Sequence, residues 1–298
     1  MMKRSLCLLV LAFPFAFALM LVGAIPTALA APAESPVITP REPIHLFNGR
    51  DLTNFYTWEM VHGHDDPDRV FTVVEQVDGA PAIRISGQHD GGLTTRERYA
   101  NYRLVAEFRW GLAKWSPRLT RARNSGILFH CQGEDGNRDL NFRAPILRSV
   151  EAQIMEGRTG EILPIPGYER GRPERTSPKV KVNVVKQGKK IYWRPDGTPT
   201  EVNAGPIGWL DEDPDWQDVH GFRGRADVEK PAGEWNRFEI VCSGGDIVFF
   251  LNGVKVNEAK DCTYREGRIL FQSESTEIFF RRIELFPLGG DSPAAAPR

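Results

Sequence analysis

No window of a dozen residues in this chain carries the apolar spacing of an amphipathic helix. Short runs of alternating apolar and polar residues recur instead, punctuated by glycine, proline, asparagine and aspartate. A period of two puts successive side chains on opposite faces, so such a chain can bury its apolar residues only by stacking sheets. Strands are expected over residues 71–77, 82–86, 102–110, 126–131, 149–155, 237–243, 247–251, 254–258, 268–273 and 277–286. Asn252-Gly253, between two such runs, is the strongest hairpin signal, because both residues tolerate the positive φ angles of a type I′ turn. Gly244-Gly245 is a second turn signal. Many short antiparallel strands of this kind predict an all-β fold, a two-sheet antiparallel jelly-roll sandwich with long loops.

The ends read differently. Lys3 and Arg4 precede a nearly unbroken apolar run over 6–22, and Ala28-Leu29-Ala30 is a small-x-small cleavage site. Residues 1–30 are therefore expected to be a signal peptide, with an uncleaved anchor as the alternative that Pro14 and the Ala-x-Ala end disfavour. Cleavage near Ala30 implies a secreted or periplasmic protein with no membrane contact in the mature form. Residues 31–42 read as a flexible Pro/Ala-rich leader, 43–288 as one domain, and 289–298 as a disordered tail. The 38 basic and 39 acidic residues nearly balance and form no basic stripe, so nucleic acid is not an expected partner. Without the signal, Cys131, Cys242 and Cys262 remain, enough for one disulfide at most. Cys242 and Cys262 flank a hairpin and can bridge in an oxidising compartment. The absence of Cys-x-x-Cys and His-x-x-x-His spacing argues against a structural zinc site.

The segment 157–233 is rich in Pro, Gly, Trp and charge, and it is expected to be a set of long functional loops. Its Trp193, Trp209 and Trp216 either anchor these loops or offer platforms for sugar rings. The expected strand 149–155 turns Val150, Ala152 and Ile154 one way and Glu151, Gln153 and Met155 the other. The neighbouring strand sets His130 among apolar residues. An acid beside an amide, next to a strand bearing a histidine, is the pattern of a polar site on a sheet face, although a half-buried strand with ordinary surface residues gives the same alternation.

Several runs, in order along the chain, resemble the 3-keto-disaccharide hydrolase (DUF1080) domain family. They are Leu46-Phe47-Asn48-Gly49-Arg50-Asp51-Leu52, Asp66-Pro67-Asp68-Arg69-Val70-Phe71, Tyr102-Arg103-Leu104 with Glu107-Phe108-Arg109-Trp110-Gly111, Ala122-Arg123-Asn124-Ser125-Gly126-Ile127-Leu128, residues 149–160, Gly221-Phe222-Arg223-Gly224, Gly233-Glu234-Trp235-Asn236, Leu251-Asn252-Gly253-Val254 and Glu266-Gly267-Arg268-Ile269-Leu270-Phe271-Gln272-Ser273-Glu274. The resemblance implies a concanavalin A-like jelly roll and an exported enzyme whose substrate is an oligosaccharide or glycoside oxidised at C3. A ketone at C3 acidifies the C2 hydrogen. A base can remove it, the C1 oxygen leaves, and water adds back across the new double bond. That chemistry asks for a base, an enolate stabiliser and an acid, not the opposed carboxylates of an ordinary glycosidase.

Glu151 and His130 are the expected base and acid, the histidine because it titrates near neutrality and the glutamate if burial raises its pKa. Gln153 can donate to a sugar hydroxyl or to the enolate. Gln272 and Glu274 share a face of another strand. With Arg123 and Asn124 they form the expected substrate-binding set, Arg123 as the cationic stabiliser, while Asn124 has a turn as its alternative use. No cofactor is certain. A divalent metal ion held by carboxylates and His130 is an alternative stabiliser, and no ligand spacing fixes it. Glu156, on the opposite face from Glu151, reads as structural. His62-Gly63-His64-Asp65-Asp66 looks like a metal loop, but adjacent acids in a Gly/Pro loop are usually solvated, and that is the expected reading. The alternative function is a non-catalytic carbohydrate-binding module. A two-carboxylate glucanase fits less well, because Gln153 stands where its second acid would be.

Overall fold

The computed structural model describes residues 35–289, except 210, 211, 214, 225 and 226. Among the described residues there are strands and turns but no helix. Two large sheets, of twelve and eight strands, pack face to face as an all-β jelly-roll sandwich. The smaller sheet runs Val254–Ala259, Asp246–Leu251, Asn236–Ser243, Tyr102–Lys114, Thr276–Pro287, Ala80–Ile85, Phe71–Val77, with Ile44–His45 beside Thr276–Pro287. The larger sheet has at its centre Phe55–Glu59, Gly91–Thr95, Glu266–Ser273, Asn124–Gln132, Arg148–Met155 and Ile162–Ile165, in that spatial order. These neighbours are all antiparallel. Each strand expected from the alternation forms, and the one starting at Tyr102 continues to Lys114.

The alternation decides the core. Ile127, Phe129, Val150, Ala152, Ile154 and Phe271 from the larger sheet meet Leu104, Phe108, Phe238, Phe249, Ile278 and Phe280 from the smaller. Phe129 meets Phe249 edge-on with ring centroids 6.0 Å apart, and Phe271 meets Phe280 at 5.1 Å. Each such side chain contributes roughly 1.5–3 kcal/mol by leaving water. The Asn252-Gly253 hairpin has φ of 50° and 84°, as a type I′ turn requires. Asn252 also ties the turn inward, donating to the carbonyl of Val228 at 2.8 Å.

Two expectations are corrected, and the pairing of Cys242 with Cys262, left open by the sequence, is decided. The segment 157–233 is largely sheet: Ile162–Ile165, Val180–Gln187, Lys190–Trp193, Thr198–Val202 and Ile207–Trp209 extend the larger sheet. Val180, Val182 and Val184 alternate into the core there with Lys181 and Asn183 turned away, a period of two obscured by the Pro- and Gly-rich sequence around it. Trp193 and Trp209 are buried with them, and Trp216 donates its Nε1–H to the Glu156 carbonyl at 2.9 Å, so these tryptophans anchor chain instead of presenting open faces to a sugar. Within the leader expected over 31–42, Val37–Ile38 is tied down, pairing in parallel with the strand Arg98–Ala100. Two residues of pairing leave no compositional trace. Cys242 and Cys262 do not bridge: with Cys131 they are free and buried, and burial pushes all three thiols up, Cys262 to about 11. The expected signal peptide, residues 31–34 of the leader and the tail from 290 lie outside the described residues.

Candidate functional site

Directly opposed residues on neighbouring strands project from the same face. The register of the larger sheet therefore composes its outer face row by row. One row reads Tyr56, Thr94, Leu270, Leu128, Glu151, Leu163. The adjacent row holds Trp58, Gly92, Gln272, Gly126 and Gln153, and it ends at Glu161, whose carbonyl accepts the Gln153 N–H at 3.0 Å. The residues between them, such as Phe55, Ile127 and Phe271, fill the core on the other side. The structure thus brings Glu151, Gln153, Asn124, Gln272 and Glu274 onto one face.

Glu151 is 4 % exposed, and among the described residues its carboxyl has no hydrogen bond or ion pair. It lies flat over Gly126, where a Cβ would stand 2.4 Å from Oε1, so only glycine admits it. Burial pushes its pKa up to about 8, the Glu274 and Glu161 charges push the same way, and Arg138 opposes them. A buried acid without a partner, changing charge close to neutrality, is a group equipped to exchange a proton.

Its neighbours are held in place. Arg118 donates from Nη2 to Glu274 Oε1 at 2.6 Å, and Gln272 donates from Nε2 to Glu274 Oε2 at 2.9 Å. The Gln272 Oε1 is buried and accepts nothing. Gln153 donates from Nε2 to Asn124 Oδ1, which orients both amides. On the far side Arg158 pairs with Glu161 and, at 2.9 Å, with Glu212. Burial, and then the Glu212 charge, raises the Glu161 carboxyl.

Two expected members are elsewhere. His130 has φ of 53° and sits in a bulge, where three residues of its strand span two of each neighbour. The extra residue returns Cys131 to the side of Leu128 and turns His130 inward, against Phe129 and Tyr102 at ring distances of 5.1 and 6.1 Å. Its Nδ1 lies 2.8 Å from the Tyr264 carbonyl, and burial holds its pKa down to about 4. His130 is thus not brought to the Glu151 face, and neither is a metal set built on it. Arg123 is not a free cation: its Nη1 lies 2.5 Å from Glu156 Oε1, both residues being buried. Glu156 also accepts the Gly221 N–H at 3.1 Å, which agrees with its structural reading.

Along the same face, past Arg268, a cleft of about 940 Å³ is lined by Tyr56, Trp58, His64, Asp135, Phe142 and Arg268. Tyr56 donates its hydroxyl to Asp135 at 3.0 Å, and Trp58 donates its indole N–H to the Ala144 carbonyl at 2.9 Å, fixing both rings. Burial raises the Asp135 carboxyl and the Tyr56 phenol. The sequence reading missed Glu161, Arg118, Arg138 and this aromatic pair. Trp58 and Tyr56 alternate with Phe55 in a short strand, which was the available signal. Arg118 and Arg138 lie in irregular segments, where no periodicity points them anywhere.

The sequence pattern of the 3-keto-alpha-glucoside-1,2-lyase-like domain family matches residues 42–285. Among curated proteins no sequence matches. Of solved structures, one candidate glycosyl hydrolase from Parabacteroides distasonis is 20 % identical, covering 83 % of this chain and 100 % of its own, with a TM-score of 0.43. A second from the same organism is 17 % identical over 83 % and 94 %, with a TM-score of 0.45. The carbohydrate-binding module CBM66 of Bacillus subtilis is 9 % identical over 78 % and 95 %, with a TM-score of 0.41. The chain belongs to the 3-keto-alpha-glucoside-1,2-lyase-like domain family.

Proposed function

We propose that this protein is an exported enzyme that cleaves glycosides oxidised at C3, by elimination across C1–C2 and hydration of the product. The observation that carries the reading is the Glu151 carboxyl, buried without a partner and raised to about 8. Removing a proton from carbon needs a base stronger than an ordinary carboxylate, and desolvation supplies one. In the first step Glu151 takes the C2 proton, leaving an enolate on the C3 oxygen; its electron pair then closes the C1–C2 double bond as the C1–O bond breaks, and the leaving oxygen gains a proton from Glu161. In the second, Glu161 takes a proton from water as its oxygen adds at C1, and Glu151, after exchange with solvent, returns a proton to C2. Arg138, the cation that acts on the Glu151 charge, is the candidate to stabilise the enolate in place of Arg123. Gln153, Asn124, Gln272 and the Arg118-held Glu274 are suited to sugar hydroxyls, and the Tyr56–Trp58 cleft to a further ring.

The test is turnover of a 3-keto-glucoside by wild type, Glu151→Gln and Arg138→Gln. The account expects Glu151→Gln to lower kcat by about 10²–10⁴-fold, and Arg138→Gln to lower kcat more than it raises KM. Unchanged turnover in Glu151→Gln removes it as the base. The aromatic cleft also favours a second reading, sugar binding without reaction; saturable binding with no turnover of keto or parent sugar would select it.

A further inference from the structure

The larger sheet holds a second cluster of donor groups, apart from the Glu151 row. Glu59 ends the strand Phe55–Glu59, and its side chain is completely buried. A tight turn follows, closed by hydrogen bonds between Glu59 and Gly63 in both directions, 2.7 and 2.9 Å long, which folds His62 back over Glu59. The His62 Nδ1 lies 3.0 Å from Glu59 Oε2. His89 arrives from a different part of the chain, before the strand Gly91–Thr95, and is fixed there because its carbonyl accepts the Ser273 hydroxyl at 2.7 Å. The two imidazoles meet edge to face with centroids 5.2 Å apart. One ligand atom from each of Glu59, His62 and His89 lies within 4.8 Å of the others. Asp68 borders this set on the solvent side, its Oδ2 2.8 Å from His89 Nε2 and 4.0 Å from His62 Nδ1.

An independent observation points into this cluster. The Glu59 Oε1 is buried and accepts no hydrogen bond. Burial raises the Glu59 carboxyl, and Asp66, within hydrogen-bonding reach of it, raises it further; the two Asp66 oxygens themselves accept the backbone N–H groups of Val70 and Phe71 at 2.6 and 2.9 Å. A buried carboxylate oxygen beside a second carboxylate needs either a shared proton or a cation. Two imidazole nitrogens converging on the same carboxylate favour the cation.

We propose that Glu59, His62 and His89 bind a divalent transition-metal ion of the zinc class. Imidazole nitrogen with carboxylate oxygen suits zinc and its borderline neighbours, and three or four such ligands match a tetrahedral site. Calcium and magnesium, which favour oxygen ligands, are poor fits. The ion would clamp the turn after Glu59 and the loop before Gly91 to the strand that carries Tyr56 and Trp58. Its role is to hold the wall of the aromatic cleft, without contact with the reacting carbons.

The test uses the full chain, stripped with chelator and dialysed, then titrated with zinc chloride and, in parallel, calcium chloride by calorimetry. Bound metal is counted by elemental analysis. The expected result is one zinc per chain, a higher Tm with zinc and no comparable calcium binding. His62→Asn and His89→Asn, both at partly exposed positions, should each weaken zinc binding by about 10²-fold or more, while Glu151→Gln leaves it unchanged. A cobalt-loaded sample should show the visible absorption of a four-coordinate ion, lost in either histidine variant. No stoichiometric zinc, or zinc binding untouched by both histidine variants, overturns the proposal and leaves a proton shared between Glu59 and Asp66 as what holds the two acids together.

Discussion

Replacing Glu151 by Gln should do two opposite things, and the stability effect can be worked from the structure. Burial lifts this carboxyl from an ordinary 4.5 to about 8. Below about pH 4.5 it is protonated in folded and unfolded chain alike and contributes no pH dependence. Above that, the unfolded chain releases the proton while the folded protein keeps it, so stability falls as pH rises. The slope is about 1.4 kcal/mol per pH unit until the folded group ionises near pH 8, about 5 kcal/mol in all. Gln has nearly the same shape over Gly126 and does not titrate. Relative to their difference at about pH 4.5, the variant should therefore gain about 3 kcal/mol on the wild type by about pH 7. Urea unfolding monitored by tryptophan fluorescence, at a series of pH values from about 4.5 to 9, reads this as a widening gap in extrapolated free energy at constant m. Glu229, raised to about 7, gives the wild type further slope in the same direction, but it is common to both proteins and cancels. Two stability curves that stay parallel within about 0.5 kcal/mol would mean that Glu151 ionises as freely folded as unfolded, and the argument for a strengthened base would collapse.

Other outcomes follow from the same geometry. Gly126→Ala puts a methyl group where the Glu151 carboxyl lies, so kcat should drop at least about tenfold with a stability loss of about 1–3 kcal/mol; an unchanged rate would show that the position of the carboxyl does not matter. His130→Asn keeps a residue that accepts positive φ and removes a group held near 4. The wild type should lose up to about 3 kcal/mol as pH falls from about 6.5 to 4, because only the unfolded chain takes up the proton; the variant should lack that loss and keep the wild-type pH profile of the rate. The three thiols should resist a thiol reagent in the native protein and react together on unfolding; rapid labelling of Cys242 or Cys262 under native conditions would contradict their burial.

The sandwich was legible because apolar alternation and Asn-Gly turns are local. Val150, Ala152 and Ile154 declare one face of their strand, and Glu151 and Gln153 the other, and the structure keeps both assignments. His130 shows where that logic stops. One extra residue in a strand inverts the parity of every position beyond it, and nothing in the run Leu128-Phe129-His130-Cys131 marks the bulge, because the partner strands create it. Arg123 was readable as a neighbour of the site but not as the partner of Glu156, which is distant in sequence. The groups that surround Glu151 most closely, Glu161, Glu274 and Arg138, come from separate segments. Only the spatial order of the strands assembles them. The same holds for His89 joining Glu59 and His62.

The most direct test of the central claim is an NMR-monitored reaction in deuterated water, with a 3-keto-glucoside beside its unoxidised parent. Wild type should consume only the keto sugar, with deuterium appearing at C2 of the product and the rate rising with pH toward about 8 as Glu151 ionises, and Glu151→Gln should slow the reaction by about 10²–10⁴-fold. Cleavage of the parent glycoside at a comparable rate, or cleavage of the keto sugar with the C2 hydrogen retained, would contradict it.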